Sequence, residues 1–468
     1  MNKSEKIIKI LLSVWGNFKN WKPIKYSYNS FSKTSISSFP VIKEVENPNY
    51  SVIIISDTLL NQALNNNNNI QNYKMIKNLL KDDINNFCNN EFSFIANEFI
   101  ISYGFGEFDK TKFIGNAMDF YYNLFKELAF YFTDLLSKLD NNQIEVIFDS
   151  THGINYNIIL TYKALIDVLE ILAYFYNIKL KVLNSDPLIG SNTNILNINV
   201  IQETKVLPKL NVFKSDKRPI EPYFNLNKDE KKEVGFFLNQ LFKDNFSSDY
   251  KEKIYLFLGS FSYALPTLVF TYLIDFSDLK KYIQLISDKF EENIKINFLN
   301  KIEIKRTLEY RENFANFIKA FIVSSILNKF NFKQLQDIPL SKIKKISDIF
   351  FKNFPIEKNR IDKEIKDIEE ISNHIEYDYK VYSVIKNKLR NQNVNFNLNV
   401  NSDKNDNSTK VDKRNFFAHS GFEYNSIELK KLGNEIYIKV RDDKINELNR
   451  LILSSLAEIK FSIPLWVS

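Results

Sequence analysis

The sequence predicts two architectures in succession: an α/β domain built on a parallel, doubly wound sheet, and then an all-α domain. Over the first 205 residues short apolar runs alternate with longer helical patterns, the signature of βαβ units. Each apolar run ends in glycine, hydroxyl, amide or carboxylate residues. From Val206 onward the short runs give way to amphipathic helical periodicity. The predicted divisions are residues 1–205, a helical connector at 206–300 and a terminal helical domain at 301–468.

The predicted strands are Ile7 to Trp15, Tyr50 to Ser56, Phe94 to Tyr103, Ile144 to Phe148 and Ile178 to Leu183. Between them lie helices such as Ala117 to Leu136 and Tyr156 to Tyr176. In the latter, Ile159, Tyr162, Leu165, Ile166 and Leu169 recur at three-and-four spacing. Later helical stretches are Lys228 to Phe242, Asp278 to Phe290, Lys301 to Phe330, Ser341 to Phe354, Ile361 to Leu389 and Lys444 to Phe461, with a short hairpin around Glu435 to Val440. Asn65 to Asn69 and Asn391 to Lys413 are polar, low-complexity loops that bury too little to order themselves. The chain has no internal repeat.

With 468 residues, of which 44% are apolar, the chain can bury a large core across two or three domains. A formal net charge of +7 permits polyanionic partners without requiring them. The single cysteine, Cys88, excludes an internal disulfide and any thiolate zinc site, and suits a reducing compartment, so a cytoplasmic protein is expected. Lys9 interrupts the first apolar run and no small-residue cleavage site follows, which argues against a signal peptide. Tyr255 to Ile274 is twenty residues without a charge, long enough to span a bilayer. Its serines, threonines, tyrosines and Pro266 instead predict a buried core helix broken at the proline.

Ligands of open α/β sheets bind beyond the carboxyl ends of the strands. Those ends read Trp15-Gly16-Asn17, Asp57-Thr58, Gly104-Phe105-Gly106, Asp149-Ser150-Thr151-His152-Gly153 and Asn184-Ser185-Asp186. Any one of them is explained equally well by the turn residues and caps that βα loops need. Five together describe an edge suited to a polar, many-atom ligand.

Only three histidines exist: His152, His374 and His419. His374, among Glu369, Glu370, Glu376 and Asp378, reads as a solvated surface residue. His152 serves either a ligand or the backbone of its loop. His419 ends the string Arg414-Asn415-Phe416-Phe417-Ala418-His419, in a chain where arginine is scarce. A guanidinium fork matches a phosphate and its developing charge, and an imidazole can move a proton to or from a ribose 2′-hydroxyl. Together they could cleave RNA without a metal; the alternative is that they merely flank a helix start. Five residues apart on a helix is about 140° around the axis, so one copy makes a poor site. A two-fold dimer would line one groove with two pairs, with Phe416 and Phe417 packed into the core behind them.

In this order the strings resemble the CARF-HEPN accessory ribonucleases of type III CRISPR systems, in their Csx-one-like branch, over nearly the whole chain. Ser13-Val14-Trp15-Gly16-Asn17 with Trp21 and Tyr26 is similar to the family's first strand and loop. FIGNAMDFY at Phe113 to Tyr121, DSTHGINY at Asp149 to Tyr156, NSDP at Asn184 to Pro187 and RNFFAHSG at Arg414 to Gly421 resemble further family strings. The resemblance implies a Rossmann-like CARF sensor, a connector that is helix-turn-helix-like in similar proteins, and a HEPN ribonuclease domain. It implies a cyclic oligoadenylate activator, usually cyclic tetra-adenylate, held by Thr151, His152, Gly153, Asn155 and the loops at Trp15, Asp57 and Asn184. It further implies a homodimer that cleaves single-stranded RNA with Arg414 and His419, oriented by Asn415, leaving a 2′,3′-cyclic phosphate and needing no metal or other cofactor. Membrane and stable DNA binding are not expected. Ser420, where relatives often carry alanine, and the polar loop at 391–413 depart from the pattern without removing a required group.

Two other readings stand beside this one. A nucleotide-sensing regulator without nuclease activity would need a basic recognition helix, yet the basic residues are dispersed among acids. A sensor that also degrades its cyclic ligand would need only polar loops, and could coexist with the nuclease.

Overall fold

The computed structural model describes residues 7–63, 70–92, 96–139, 143–188, 195–298, 301–391 and 410–458. The N-terminal part runs β1 (Ile8–Trp15), β2 (Ile24–Tyr28), β3 (Phe31–Ser35), α1 (Phe39–Glu46), β4 (Tyr50–Ser56), α2 (Leu60–Ala63), α3 (Tyr73–Glu91) and β5 (Glu98–Ser102). It continues with β6 (Gly106–Phe108), β7 (Thr111–Ile114), α4 (Met118–Ser137), β8 (Gln143–Asp149), α5 (Asn155–Leu172), β9 (Asn177–Ser185) and β10 (Ile195–Lys205). Next come β11 (Phe213–Lys214), β12 (Ile220–Pro222), α6 (Lys228–Asn245), α7 (Tyr250–Ser262), α8 (Pro266–Tyr272), α9 (Phe276–Glu292), β13 (Ile294–Phe298), β14 (Ile302–Arg306), β15 (Leu308–Tyr310) and α10 (Glu312–Lys329). The last part holds β16 (Ile338–Pro339), α11 (Leu340–Phe350), α12 (Pro355–Glu370), β17 (Lys380–Val381), α13 (Tyr382–Asn391), α14 (Lys413–Ala418), β18 (Ile427–Leu432), β19 (Glu435–Val440), α15 (Ile445–Ser455) and β20 (Ala457–Glu458).

The chain forms two compact units: Met1–Lys209 with Asp216–Phe246 and Leu279–Ile322, and Leu210–Ser215 with Ser247–Asp278 and Val323–Ser468. The connector expected at 206–300 is thus divided between them.

The first unit is built on an eight-stranded sheet ordered β3-β2-β10-β9-β8-β1-β4-β5. The five predicted strands are its parallel core, β9-β8-β1-β4-β5. The residues of β1, β4 and β8 are buried almost end to end, because helices cover both faces, whereas β9 alternates buried and exposed positions. The chain order reverses at β1, which is the doubly wound arrangement. The sheet is mixed rather than wholly parallel: β10 pairs antiparallel with β9, and β2 and β3 form an antiparallel hairpin beside it. β3 and β10 carry mostly polar, exposed residues, so no apolar run announced them.

A second sheet, β13-β14-β7-β6, corrects the prediction of an unbroken helix from Lys301 to Phe330. Ile302 and Ile304 alternate with Glu303 and Lys305, a strand period too short to outweigh the helical pattern after it, and β14 pairs in parallel with β7. The helix itself is α10, beginning at Glu312.

In the second unit the uncharged stretch forms two buried helices, α7 and α8, with Pro266 opening the second. Among the described residues no helix is long and apolar enough to cross a membrane. The predicted helix from Ile361 to Leu389 is two, α12 and α13, separated by a 3-10 turn at Ser372–His374 and by β17. The hairpin at 435–440 belongs to a four-stranded sheet, β16-β19-β18-β17, so the unit is not purely helical. Residues 65–69, 392–409 and 459–461, expected as loops and as a helix end, lie outside the described residues.

Candidate ligand edge and nuclease centre

At the ends of β1, β8 and β9, Asp149 organises the backbone. It is fully buried, and its Oδ2 accepts from Ser13 Oγ and Ser38 Oγ, both at 2.8 Å, while Oδ1 accepts from Thr151 N at 3.1 Å. The next residue, Ser150, donates to the Leu183 carbonyl at 2.8 Å, and Thr151 Oγ1 accepts from Ser185 N at 3.1 Å. These bonds tie the β8 loop to the end of β9. Gly16 and Gly153 bring the β1 and β8 loops into backbone contact: a Cβ at Gly16 would lie 3.4 Å from Gly153 Cα, and one at Gly153 would lie 3.0 Å from Val14 Cγ1. Asn17, Asn155 and Asn184 are exposed around them. Asp186 accepts from Asn197 N, Asn197 Nδ2 and Asn199 Nδ2, bonds that hold its carboxyl below the usual range.

His152 serves the backbone of a neighbouring segment. Its Nε2 accepts from Ser38 N at 3.2 Å and lies 3.3 Å from Tyr26 Oη, and its ring sits 4.3 Å from that of Trp21. An accepting Nε2 requires the neutral ring with the proton on Nδ1. Burial lowers its pKa, against the opposing pull of Asp149.

Trp15 at the end of β1 turns inward, and the ends of β4 and β5 are closed. Trp15 is wholly buried among Phe18, Phe39, Phe87 and Phe92, with Nε1 donating to Ser13 Oγ at 3.0 Å. Asp57 is wholly buried too: Oδ1 accepts from Gly104 N at 2.6 Å, and Oδ2 accepts from Tyr73 Oη at 2.8 Å and from Arg306 Nη2 at 2.5 Å. Thr58 is buried against Ser56, and a Cβ at Gly104 would fall 2.1 Å from Ser56 Oγ. Gly106 is exposed at a φ of 122°, a turn that favours glycine. The uniform polar edge expected from five loops is therefore three open loops and two packed ones. Sequence reasoning missed Ser13, Ser38 and Arg306; of these only Arg306, an arginine in a lysine-rich chain, carried a signal.

In the second unit α14 presents the Arg414 to His419 string. Asp412 caps it, accepting from Asn415 N at 2.7 Å, and Phe416 is fully buried against Leu256, Leu265, Leu268 and Leu448. Phe417 packs on Tyr263 and its carbonyl accepts from Arg360 Nη1 at 3.0 Å. The helix stops because Ser420 and Gly421 take left-handed φ values of 49° and 84°, and Gly421 N donates back to the Phe416 carbonyl at 2.9 Å. His419 is left half-buried as the C-terminal cap, while Arg414 and Asn415 are exposed. His419 Nδ1 lies 2.7 Å from Oε1 of Glu364 on α12, a carboxylate 3% exposed. That bond, more than the carboxylate's charge, raises the histidine's pKa against the opposing effect of burial. Around the pair stand Tyr424, whose ring lies 5.9 Å from that of His419, and Lys386, which donates to Tyr424 Oη at 3.1 Å. Burial pushes the Glu423 carboxyl up to about 7. Glu364 and Lys386 were not singled out in the sequence, since they sit in charged stretches that read as solvated faces. His374 is exposed, as expected.

Family models match both regions: the CARF domain of CRISPR system endoribonuclease Csx1 over residues 10–187, and the HEPN domain of the same endoribonuclease over residues 354–442. The fold and its two sites thus define a CARF-HEPN protein. A CRISPR system endoribonuclease Csx1 from Methanocaldococcus jannaschii is 31% identical over 474 residues, covering 97% of this chain and 91% of that relative. The chain belongs to the Csx1 family of CRISPR system endoribonucleases. Among solved structures, Enterococcus italicus Csm6 bound to cyclic hexa-2′-fluoro-hexa-dAMP aligns with a TM-score of 0.21 at 11% identity, over 84% of this chain and 88% of that one. Protein VC1899 from Vibrio cholerae aligns with a TM-score of 0.18 at 10% identity, over 73% and 68%. Alignments this loose carry no argument about either site.

Proposed function

We propose that this protein is a cytoplasmic endoribonuclease, switched on by a cyclic oligoadenylate, that cuts single-stranded RNA without a metal ion. The observation that carries the reading is the presentation of His419 and Arg414 at opposite ends of one short, core-anchored helix inside the region matched as HEPN. His419 takes the proton of a ribose 2′-hydroxyl as that oxygen attacks the adjacent phosphorus. The bond to the 5′-oxygen breaks, and the leaving oxygen takes up a proton. The products are a 2′,3′-cyclic phosphate and a 5′-hydroxyl. Arg414 faces the phosphoryl oxygens as charge builds on them, and Asn415 orients the pair. Two copies in a two-fold dimer supply one imidazole to accept the proton and another to return one.

The activating ring, of the cyclic tetra-adenylate class, lies against the open loops at Gly16–Asn17, Ser150–Asn155 and Asn184–Asp186, all within the span matched as CARF. Their exposed amides and closely approachable glycine backbone suit a ring of phosphates and adenines. Trp15, Asp57, Thr58 and Gly104 are buried and are left out of this reading of the ligand edge.

Fluorescent single-stranded RNA in EDTA tests the reading. Cutting is expected only when cyclic tetra-adenylate is added, and a requirement for magnesium would overturn the mechanism. Arg414→Lys keeps the charge but loses the fork, and should lower kcat by about 10²-fold, the effect of removing one preorganised donor.

A further inference from the structure

His419 has two ring nitrogens, and the structure gives them different surroundings. Nδ1 points to Glu364 Oε1 at 2.7 Å, on the buried side of the ring. The histidine side chain keeps 31% of its surface exposed, whereas Glu364 keeps 3%. The second oxygen of Glu364, Oε2, is buried with no hydrogen-bond partner among the described residues. A buried carboxylate held only for stability would ordinarily have both oxygens satisfied, since an unmet acceptor is costly. Among the described residues the hydrogen bond of this carboxylate goes to the histidine ring.

Resting on the assignment of His419 as the nuclease's proton-transfer group, we propose that Glu364 is its positioning residue. Glu364 Oε1 accepts a hydrogen bond from Nδ1–H and fixes the tautomer, so that Nε2 is the nitrogen that takes the 2′-hydroxyl proton. It then stabilises the imidazolium this creates. No bond to Glu364 forms or breaks, and the carboxylate keeps its charge throughout, the division of labour seen wherever a buried acid orients a catalytic histidine. The groups facing His419 make the balance explicit. Glu364 on α12 favours the imidazolium, Lys363 on α12 and Lys386 on α13 oppose it, and Glu423, beside Tyr424 in the loop after α14, is coupled to it by charge.

The test uses the full-length, ring-activated protein. Glu364→Gln preserves shape but removes the charge. We expect kcat to fall by about 10²- to 10⁴-fold, the usual span for disabling a proton-transfer group, with KM within about twofold. The acid limb of the kcat/KM profile should move to lower pH, because the imidazole loses the carboxylate that raised it. Glu364→Asp should recover part of the rate. A limb that stays put in Glu364→Gln would overturn the proposal. Should that variant misfold, ¹⁵N spectra of the wild type decide: with three histidines the His419 signals are assignable by substitution. A neutral His419 protonated at Nδ1 supports the proposal, and one protonated at Nε2 overturns it. His419→Ala separates the two readings. If it still cuts RNA, the nuclease assignment itself fails; if it is inactive while Glu364→Gln matches wild type, only the positioning role fails.

Discussion

Arg306 and Asp57 form an ion pair in which neither side chain is exposed at all, the guanidinium Nη2 lying 2.5 Å from the carboxylate Oδ2. The same guanidinium donates through Nη1 to the Gly104 carbonyl at 2.6 Å. One side chain from β14 thus holds the ends of β4 and β5, the two strand ends that are packed rather than open. Tyr73 and Gly104 N complete the satisfaction of Asp57, which is what makes a buried charge pair tolerable.

Breaking this pair from one side leaves a buried, uncompensated charge. Asp57→Asn is expected to lower the stability of the first unit by about 3–5 kcal/mol. Combining Asp57→Leu with Arg306→Met should cost less than the two single changes added, because an apolar pair needs no compensating charge. Urea unfolding followed by the fluorescence of Trp15 and Trp21 measures both. Strict additivity would show that the two side chains are not coupled.

His152 makes the candidate ligand edge sensitive to acid. Burial lowers its pKa below the ordinary value, and its Nε2 must stay unprotonated to accept from Ser38 N. The unfolded chain binds a proton near pH 6.5 while the folded edge resists it. Its contribution to stability is therefore intact above about pH 6.5 and lost as the pH falls through the lower folded value. Asp149 and Tyr26 are the other titratable groups facing it. Thermal unfolding at about pH 7.5 and about pH 5.5 should show a larger acid loss in wild type than in His152→Gln, which cannot titrate. Equal losses would place the acid sensitivity elsewhere.

Gly421 ends the helix that carries the nuclease string, at a φ of 84°. A Cβ there would meet Thr267 Oγ1 at an ordinary 3.4 Å, so the penalty of Gly421→Ala is backbone strain rather than collision. We expect a loss of about 1–2 kcal/mol. Because the strain falls next to the turn that holds His419, RNA cleavage should drop while ring binding is unchanged. Calorimetry with ring titration and a cleavage assay separate these effects, and unchanged cleavage at reduced stability would show that the turn does not position the histidine.

The central core strands were legible because a strand covered on both faces must be apolar along its length, as in Leu11-Leu12-Ser13-Val14-Trp15 and Val52-Ile53-Ile54-Ile55, and β9 was legible from the buried Ile178, Leu180, Val182 and Leu183. The strands β2, β3 and β10 beyond β9 were not, since one exposed face needs no apolar run. β14 was hidden by the helical periodicity that follows it. Spacing and side-chain chemistry singled out the Arg414 to His419 string as a candidate, with a helix start as its alternative.

By itself, then, the sequence determined the doubly wound core, the change to helices, the polar character of the strand ends and the arginine-histidine string, all local patterns of burial and chemistry. Only the tertiary structure decided that Asp57 meets Arg306, that His152 faces Ser38 N, and that Glu364 stands behind His419. Those pairs are separated by 249, 114 and 55 residues. Hydrogen bonds act over about 3 Å whatever the separation along the chain. Which donor reaches which acceptor is settled only when packing brings distant segments together.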